Sequence, residues 1–118
     1  MAYKGSRLVA IGVTVSLLPI ALAAAQSKRK TIPVEELYRN NCARCHGAEG
    51  RGDTAQGEMY HAPDFTDKDW WRKNPSFKRN STLTSIVTHG KEEMPAFGKK
   101  LSPTEIKQLV NYVRRFGR

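Results

Sequence analysis

The chain has 118 residues, with 20 Lys and Arg against 11 Asp and Glu for a formal charge of +9, 39% hydrophobic residues and two cysteines. That length leaves room for one domain, the apolar content argues against a wholly disordered chain, and two cysteines cannot build the multi-bridge framework of a small secreted scaffold. No long apolar run follows the N-terminal one, which excludes a polytopic membrane protein.

Residues 1–7 carry Lys4 and Arg7, an apolar stretch runs from Leu8 to Leu22, and Ala23-Ala24-Ala25 follows. A basic start, a short apolar middle and a small-residue ending form the layout of a secretory leader. Cleavage is expected before Gln26, with residues 1–25 as signal peptide and 26–118 as the domain. The apolar run falls short of the roughly 20 residues that a spanning helix needs, so an uncleaved membrane anchor is the alternative. The mature chain would be exported, to the periplasm, with no membrane span left. A domain that small is marginal without a metal, a disulfide or a cofactor.

After a basic lead, Lys28-Arg29-Lys30, the pattern predicts a first helix from near Pro33. Pro fits a first turn, and Glu35 and Glu36 suit the positive end of the helix dipole. Val34, Leu37, Tyr38 and Cys42 repeat at helical spacing. Residues 47–57 hold four glycines and predict a loop, which continues through His61-Ala62-Pro63-Asp64. Thr66 or Asp67 caps a short helical piece with Trp70 and Trp71, which Asn74-Pro75 breaks. A third helix is expected from about Ser81 to Thr88, ended by Gly90. Asn80-Ser81-Thr82 matches a glycosylation pattern, but helix capping explains those residues better.

The last helix has the clearest local code. Ser102 is its N-cap, Pro103 its first residue, and Glu105 completes a capping box. Leu101 and Ile106 are placed for the hydrophobic staple. Ile106, Leu109, Val110 and Val113 make one apolar face, which Phe116 extends. No alternating strand pattern appears. The fold is all-α and small, with long loops that need something to wrap around.

Cys42-Ala43-Arg44-Cys45-His46 supplies that object. Cys-x-x-Cys-His is the covalent haem attachment signature. Two thiols three residues apart on a helical turn face one side and can bond the two vinyl groups of one porphyrin edge. His46 then offers its imidazole to iron. A redox Cys-x-x-Cys expects a βαβ context, a zinc site expects four ligands, and a disulfide across so short a loop gives His46 no role. For the sixth iron position the choice lies among Met59, His61, His89, Met94 and an open site. Met94 is favoured: it stands far along the chain, and Pro95 holds it in extended backbone, suited to a loop lying along the haem. Met59 and His61 are expected at the surface, and His89 closes a helix.

These stretches resemble a class I monohaem c-type cytochrome: Leu37-Tyr38 through Cys42–Gly47, Gly90 through Met94-Pro95-Ala96-Phe97, and Leu101-Ser102 through Tyr112-Val113. The resemblance implies a cytochrome c-like all-α fold around one haem c. It implies thioethers at Cys42 and Cys45, a proximal ligand at His46 and a distal one at Met94. Pro63 resembles the proline whose carbonyl accepts a hydrogen bond from the ligand imidazole. First and last helices would cross, with Leu37 and Tyr38 meeting Leu109, Val110 or Val113. The segment Trp70–Asn80, with Arg72, Lys73, Lys78 and Arg79, matches no family element; one indole N–H is suited to a haem propionate, though plain packing explains the pair as well.

The implied function is one-electron transfer, not enzymatic turnover, between periplasmic or membrane-bound redox proteins. The basic surface, with Lys91, Lys99 and Lys100 flanking the Met94 loop, suits partners with acidic docking patches. Nucleic acid is not an expected partner of an exported protein, and a monomer is expected. The alternatives are a dedicated haem subunit of a dehydrogenase or oxidase, and a haem sensor or enzyme with an open sixth site.

Overall fold

The computed structural model describes Met1, Gly5 and residues 31–118; the expected signal peptide therefore lies outside the described residues. The described chain forms α1 (Val34–Asn41), α2 (Ala43–His46), α3 (Ala55–Met59), α4 (Lys68–Lys73), a 3-10 turn (Pro75–Lys78), α5 (Asn80–His89) and α6 (Pro103–Phe116). No strand is present among the described residues, whose one isolated β-bridge pairs Lys91 with Met94. None of their helices is long and apolar enough to cross a membrane.

The core is the crossing of α1 and α6, joined by α5. Leu37, Tyr38, Leu83, Leu101, Ile106, Leu109 and Val110 are buried there, together with Phe65 and Trp71. The expected meeting of Leu37 and Tyr38 with the α6 face is present. Tyr38 also reaches further along α6, its ring 5.0 Å from that of Tyr112 and 5.5 Å from that of Phe116. Burial of this apolar surface, aliphatic and aromatic together, supplies the main favourable term for a small helical domain.

Local code sets the helix ends. Ser102 and Glu105 form the reciprocal capping box, and Leu101 and Ile106 are both buried across it. Asp67 caps α4 by accepting from the Asp69 N–H at 2.8 Å.

Two expectations are corrected. The glycine-rich stretch is not loop throughout: Thr54 accepts from the Gly57 N–H at 2.8 Å and starts α3 inside it. Residues Asn80–Thr82 do not cap α5. Arg79 holds the cap position and makes no side-chain cap bond. Asn80 is already helical, and its side chain turns to α6, accepting from Arg114 Nε and donating to Asn111 Oδ1 at 3.4 Å. A long-range partner wins over the local one.

Candidate functional site

The site begins where α1 ends. The Cys42 N–H still donates to the Tyr38 carbonyl at 2.8 Å, so the helix runs into the motif. Cys45 and His46 donate back to the Cys42 carbonyl at 3.2 and 2.9 Å, making α2 a single tight turn. Cys42 and Cys45 thus stand on one turn, both as free, half-buried thiols. Burial pushes the Cys42 thiol up to about 12, against the opposing pull of the Lys100 ammonium. It is neutral at ordinary pH.

His46 follows at the end of that turn. Burial pulls its imidazole down to about 4, so the ring is neutral, as a metal ligand must be. The ring stacks on Phe65, with centroids 4.7 Å apart and planes 21° apart. Its Nδ1 is buried and has no hydrogen-bond partner. A buried, unpartnered ring nitrogen beside two free thiols fits a ligand that takes the other nitrogen and leaves this one to donate.

The wall behind His46 is made of backbone. Gly52 donates to the His46 carbonyl at 2.9 Å, and Thr54 Oγ1 donates to the Arg44 carbonyl at 2.8 Å and the Cys45 carbonyl at 3.1 Å. Phe65 is fixed in turn by its N–H on the Gly50 carbonyl, at 2.7 Å. Gly57 packs so closely that a Cβ there would overlap the carbonyl oxygens of Gly52 and Cys45. Gly52 has φ +68, and a Cβ there would strike the Ala62 carbonyl and lie 3.2 Å from that of Pro63. Pro63 is therefore placed against the residue that bonds His46, although its carbonyl makes no hydrogen bond to Nδ1 in this structure. Tyr38 closes the same wall. Its hydroxyl, held well above its usual range by burial, donates to the Gly47 carbonyl at 2.9 Å.

The other candidates separate cleanly. Met59 is 67% exposed and His61 is exposed at φ 54. His89 is exposed, its Nδ1 3.1 Å from the Ser85 carbonyl. Met94 is half-buried in the loop between α5 and α6, exchanging backbone bonds with Lys91 at 2.9 and 3.0 Å. No hydrogen bond or ring contact joins that loop to His46 among the described residues.

Sequence reasoning missed Phe65, Thr54 and Gly57. Phe65 had a signal, a lone aromatic two residues after Pro63; Gly57 had one in the glycine spacing, which reads equally well as a flexible loop. Of the tryptophan pair, Trp71 donates its indole N–H to the Phe65 carbonyl at 2.7 Å and so is committed to the protein. Trp70 packs edge-on against it at 4.9 Å and against Phe77 at 5.2 Å.

Comparison with known proteins places the chain among haem proteins. The family described as "Cytochrome C oxidase, cbb3-type, subunit III" matches residues 31–113. A cbb3-type cytochrome c oxidase subunit CcoP of Azospirillum brasilense is 35% identical over 96 residues, which is 80% of this chain and 30% of that protein. The chain thus spans less than a third of the length of that oxidase subunit. A cytochrome c6 of Bumilleriopsis filiformis is 35% identical over 79 residues, 67% of this chain and 83% of the relative. A solved c-type cytochrome, KustC0563, superposes with a TM-score of 0.63 at 34% identity, over 74% of this chain and 100% of that one.

Proposed function

Because the chain belongs to the cytochrome c family described as cbb3-type oxidase subunit III, we propose that it is a one-electron carrier built on one covalently attached haem c. Cys42 and Cys45 hold the haem through thioethers, His46 is the proximal ligand and Met94 the distal one. The chemistry supplied when the haem is bound is a one-electron change at iron, and His/Met ligation favours a raised reduction potential. The chain's own residues do the rest. Phe65 fixes the plane of the His46 ring by stacking. The Gly52 and Thr54 bonds hold the backbone that carries it. The Pro63 carbonyl is the acceptor toward which the Nδ1–H turns once the other nitrogen is taken, fixing the tautomer. Trp70, whose indole is not committed as that of Trp71 is, is the one suited to a propionate. The apolar α1–α6 face excludes water.

The single observation that carries this reading is the buried, unpartnered Nδ1 of a neutral His46 ring on the turn that holds both thiols. The test is the optical spectrum of the exported protein. A weak near-infrared band in the ferric form, lost in Met94→Ala and kept in Met59→Ala, identifies the sulfur ligand. Carbon monoxide binding to the unmutated ferrous protein would favour an open sixth site instead.

The mature domain comprises residues 26–118, exported and freed from its leader. Lys91, Lys99 and Lys100, all exposed, ring the edge where partners with acidic patches meet it. A second reading, a dedicated oxidase subunit, draws on the match to CcoP over 80% of the chain. Co-purification with a membrane oxidase at moderate salt would favour it over a free shuttle.

A further inference from the structure

Trp71, the buried residue of the Trp70–Asn80 segment, reaches back to the proximal side of the site through Phe65. Between α3 and α4 the chain forms no helix, and of residues 60–67 only Phe65 is buried. The backbone of Phe65 is held at both of its polar groups. Its N–H donates to the Gly50 carbonyl at 2.7 Å, and its carbonyl accepts the Trp71 indole N–H at 2.7 Å. Its ring then meets three others. His46 is stacked on it at 4.7 Å and 21°, Trp71 lies at 6.0 Å and 33°, and Trp70 stands edge-on at 6.0 Å and 71°. A backbone pinned on both sides, with rings packed around the side chain, keeps Phe65 in one place.

Trp71 is held in its turn by the C-terminal end of α6. Gly117 packs so closely that a Cβ there would overlap the indole nitrogen. The Arg114 guanidinium lies 5.8 Å from the centre of the Trp71 ring. Arg114 is itself tied to Asn80 and to the Phe77 and Lys78 carbonyls. The last turn of α6 therefore backs Trp71, Trp71 grips Phe65, and Phe65 lies nearly flat against His46. The imidazole turns about its Cβ–Cγ bond, and a near-parallel ring at that distance is a wall against the rotation.

We propose that Trp71 is a positioning residue for the proximal ligand: through its bond to the Phe65 carbonyl it sets the plane of the His46 ring over the haem. The inference deepens the carrier reading and rests on it, since the plane matters only if His46 binds iron. A buried indole N–H needs an acceptor in any case. What singles this one out is its acceptor, the carbonyl of the residue stacked on the ligand. Groups behind a metal-bound histidine orient its ring and tune the metal. In a low-spin ferric haem the unpaired spin follows the plane of the bound imidazole, so the angle of the ring decides how spin is shared among the four haem methyl groups.

The test is proton NMR of the haem-loaded exported protein in its ferric state, read as the spread of the four haem methyl shifts. Trp71→Phe keeps a ring in the core and removes the N–H. The Phe65 anchor is lost, the His46 ring rocks over a wider range of angles, and averaging narrows the spread. Phe65→Leu keeps an apolar side chain but removes the flat wall, and should narrow the spread as well. Adding Trp71→Phe to Phe65→Leu should narrow it no further, because the tryptophan acts only through Phe65. Ser102→Ala removes the cap at the other end of α6 and lowers stability; its spread should equal that of the unmutated protein. An unmoved spread in Trp71→Phe, or in Phe65→Leu should the first variant fail to keep its haem, overturns the proposal. So does equal narrowing in Ser102→Ala, or further narrowing in the double variant, which would put the effect of the tryptophan on the haem itself. An unmutated protein whose haem methyls show no bound imidazole overturns the carrier reading and this inference together.

Discussion

The segments on either side of the proposed haem site are held in different ways. Residues 47–65, behind His46, are knitted by backbone: Gly52 on the His46 carbonyl, Thr54 on the Arg44 and Cys45 carbonyls, Phe65 on Gly50, and Gly57 wedged between two carbonyl oxygens. Residues 90–98, around Met94, are tied to α5 by backbone, with Gly90 so close to the Met94 carbonyl that a Cβ there would overlap it. Phe97 and Gly98 donate to the Val87 and Thr88 carbonyls at 2.9 and 3.0 Å, and a two-residue turn closes between Lys91 and Met94 with Glu92 at φ 53. Met94, Pro95 and Ala96 themselves are at most half-buried. The difference teaches that the histidine side is packed into the interior of the fold, whereas the methionine side is fixed by backbone bonds at its surface, with Pro95 and Ala96 exposed. Opening of the more exposed segment is the expected low-energy fluctuation of such a domain.

Substitutions can break this contrast, the largest effect first. Gly57→Ala drives a methyl group into the Cys45 and Gly52 carbonyls; a loss of about 3 kcal/mol is expected from overpacking, read as a drop in the denaturant midpoint of the haem-loaded protein. A midpoint within a few tenths of a kcal/mol would show the wall to be soft. Trp71→Phe removes the buried indole bond to the Phe65 carbonyl and is expected to cost about 2 kcal/mol by leaving that oxygen unsatisfied. Thr54→Ala removes a cap and two carbonyl partners, for about 1–2 kcal/mol. Pro95→Ala, in the other segment, should cost under about 1 kcal/mol through unfolded-chain entropy while speeding exchange of the sixth ligand, measured by imidazole binding kinetics. If Pro95→Ala were the more damaging of these, the contrast would be inverted.

Acid should act on the methionine side, and weakly. Glu92 is held below its ordinary value of 4.5 by the hydrogen bond from Lys91, 2.6 Å away. A lowered carboxylate pKa means stability that is present above 4.5 and fades as pH falls through the lowered value. Glu92 is exposed to solvent, so the effect is small. The near-infrared band should weaken slightly as pH drops below 4.5 in the unmutated protein and lose that dependence in Glu92→Gln. Identical profiles would remove Glu92 from the account.

Much of this was legible before any coordinates. The α6 cap, staple and apolar face are written in consecutive residues, and the Cys42–His46 turn carries its chemistry in five. What was not legible depends on distance along the chain. Gly57 reads as a loop residue because its neighbours in space, Gly52 and Cys45, are hidden in sequence. Arg114 reads as a charge complementing the helix dipole, yet it binds Asn80, 34 residues away. Asn80 was assigned to a cap because local partners are the ones a sequence displays. The phenol of Tyr38 reads as core, and its hydroxyl finds the carbonyl next to His46 only when α1 and α2 are folded together.

The most direct measurement is the intact mass of the exported protein under denaturing conditions, followed by the same measurement on the double variant Cys42→Ala, Cys45→Ala. The account predicts that the unmutated polypeptide is heavier than its bare chain by one haem, retained through denaturation, and that the double variant is not. A colourless export with the mass of the unmodified chain would contradict it.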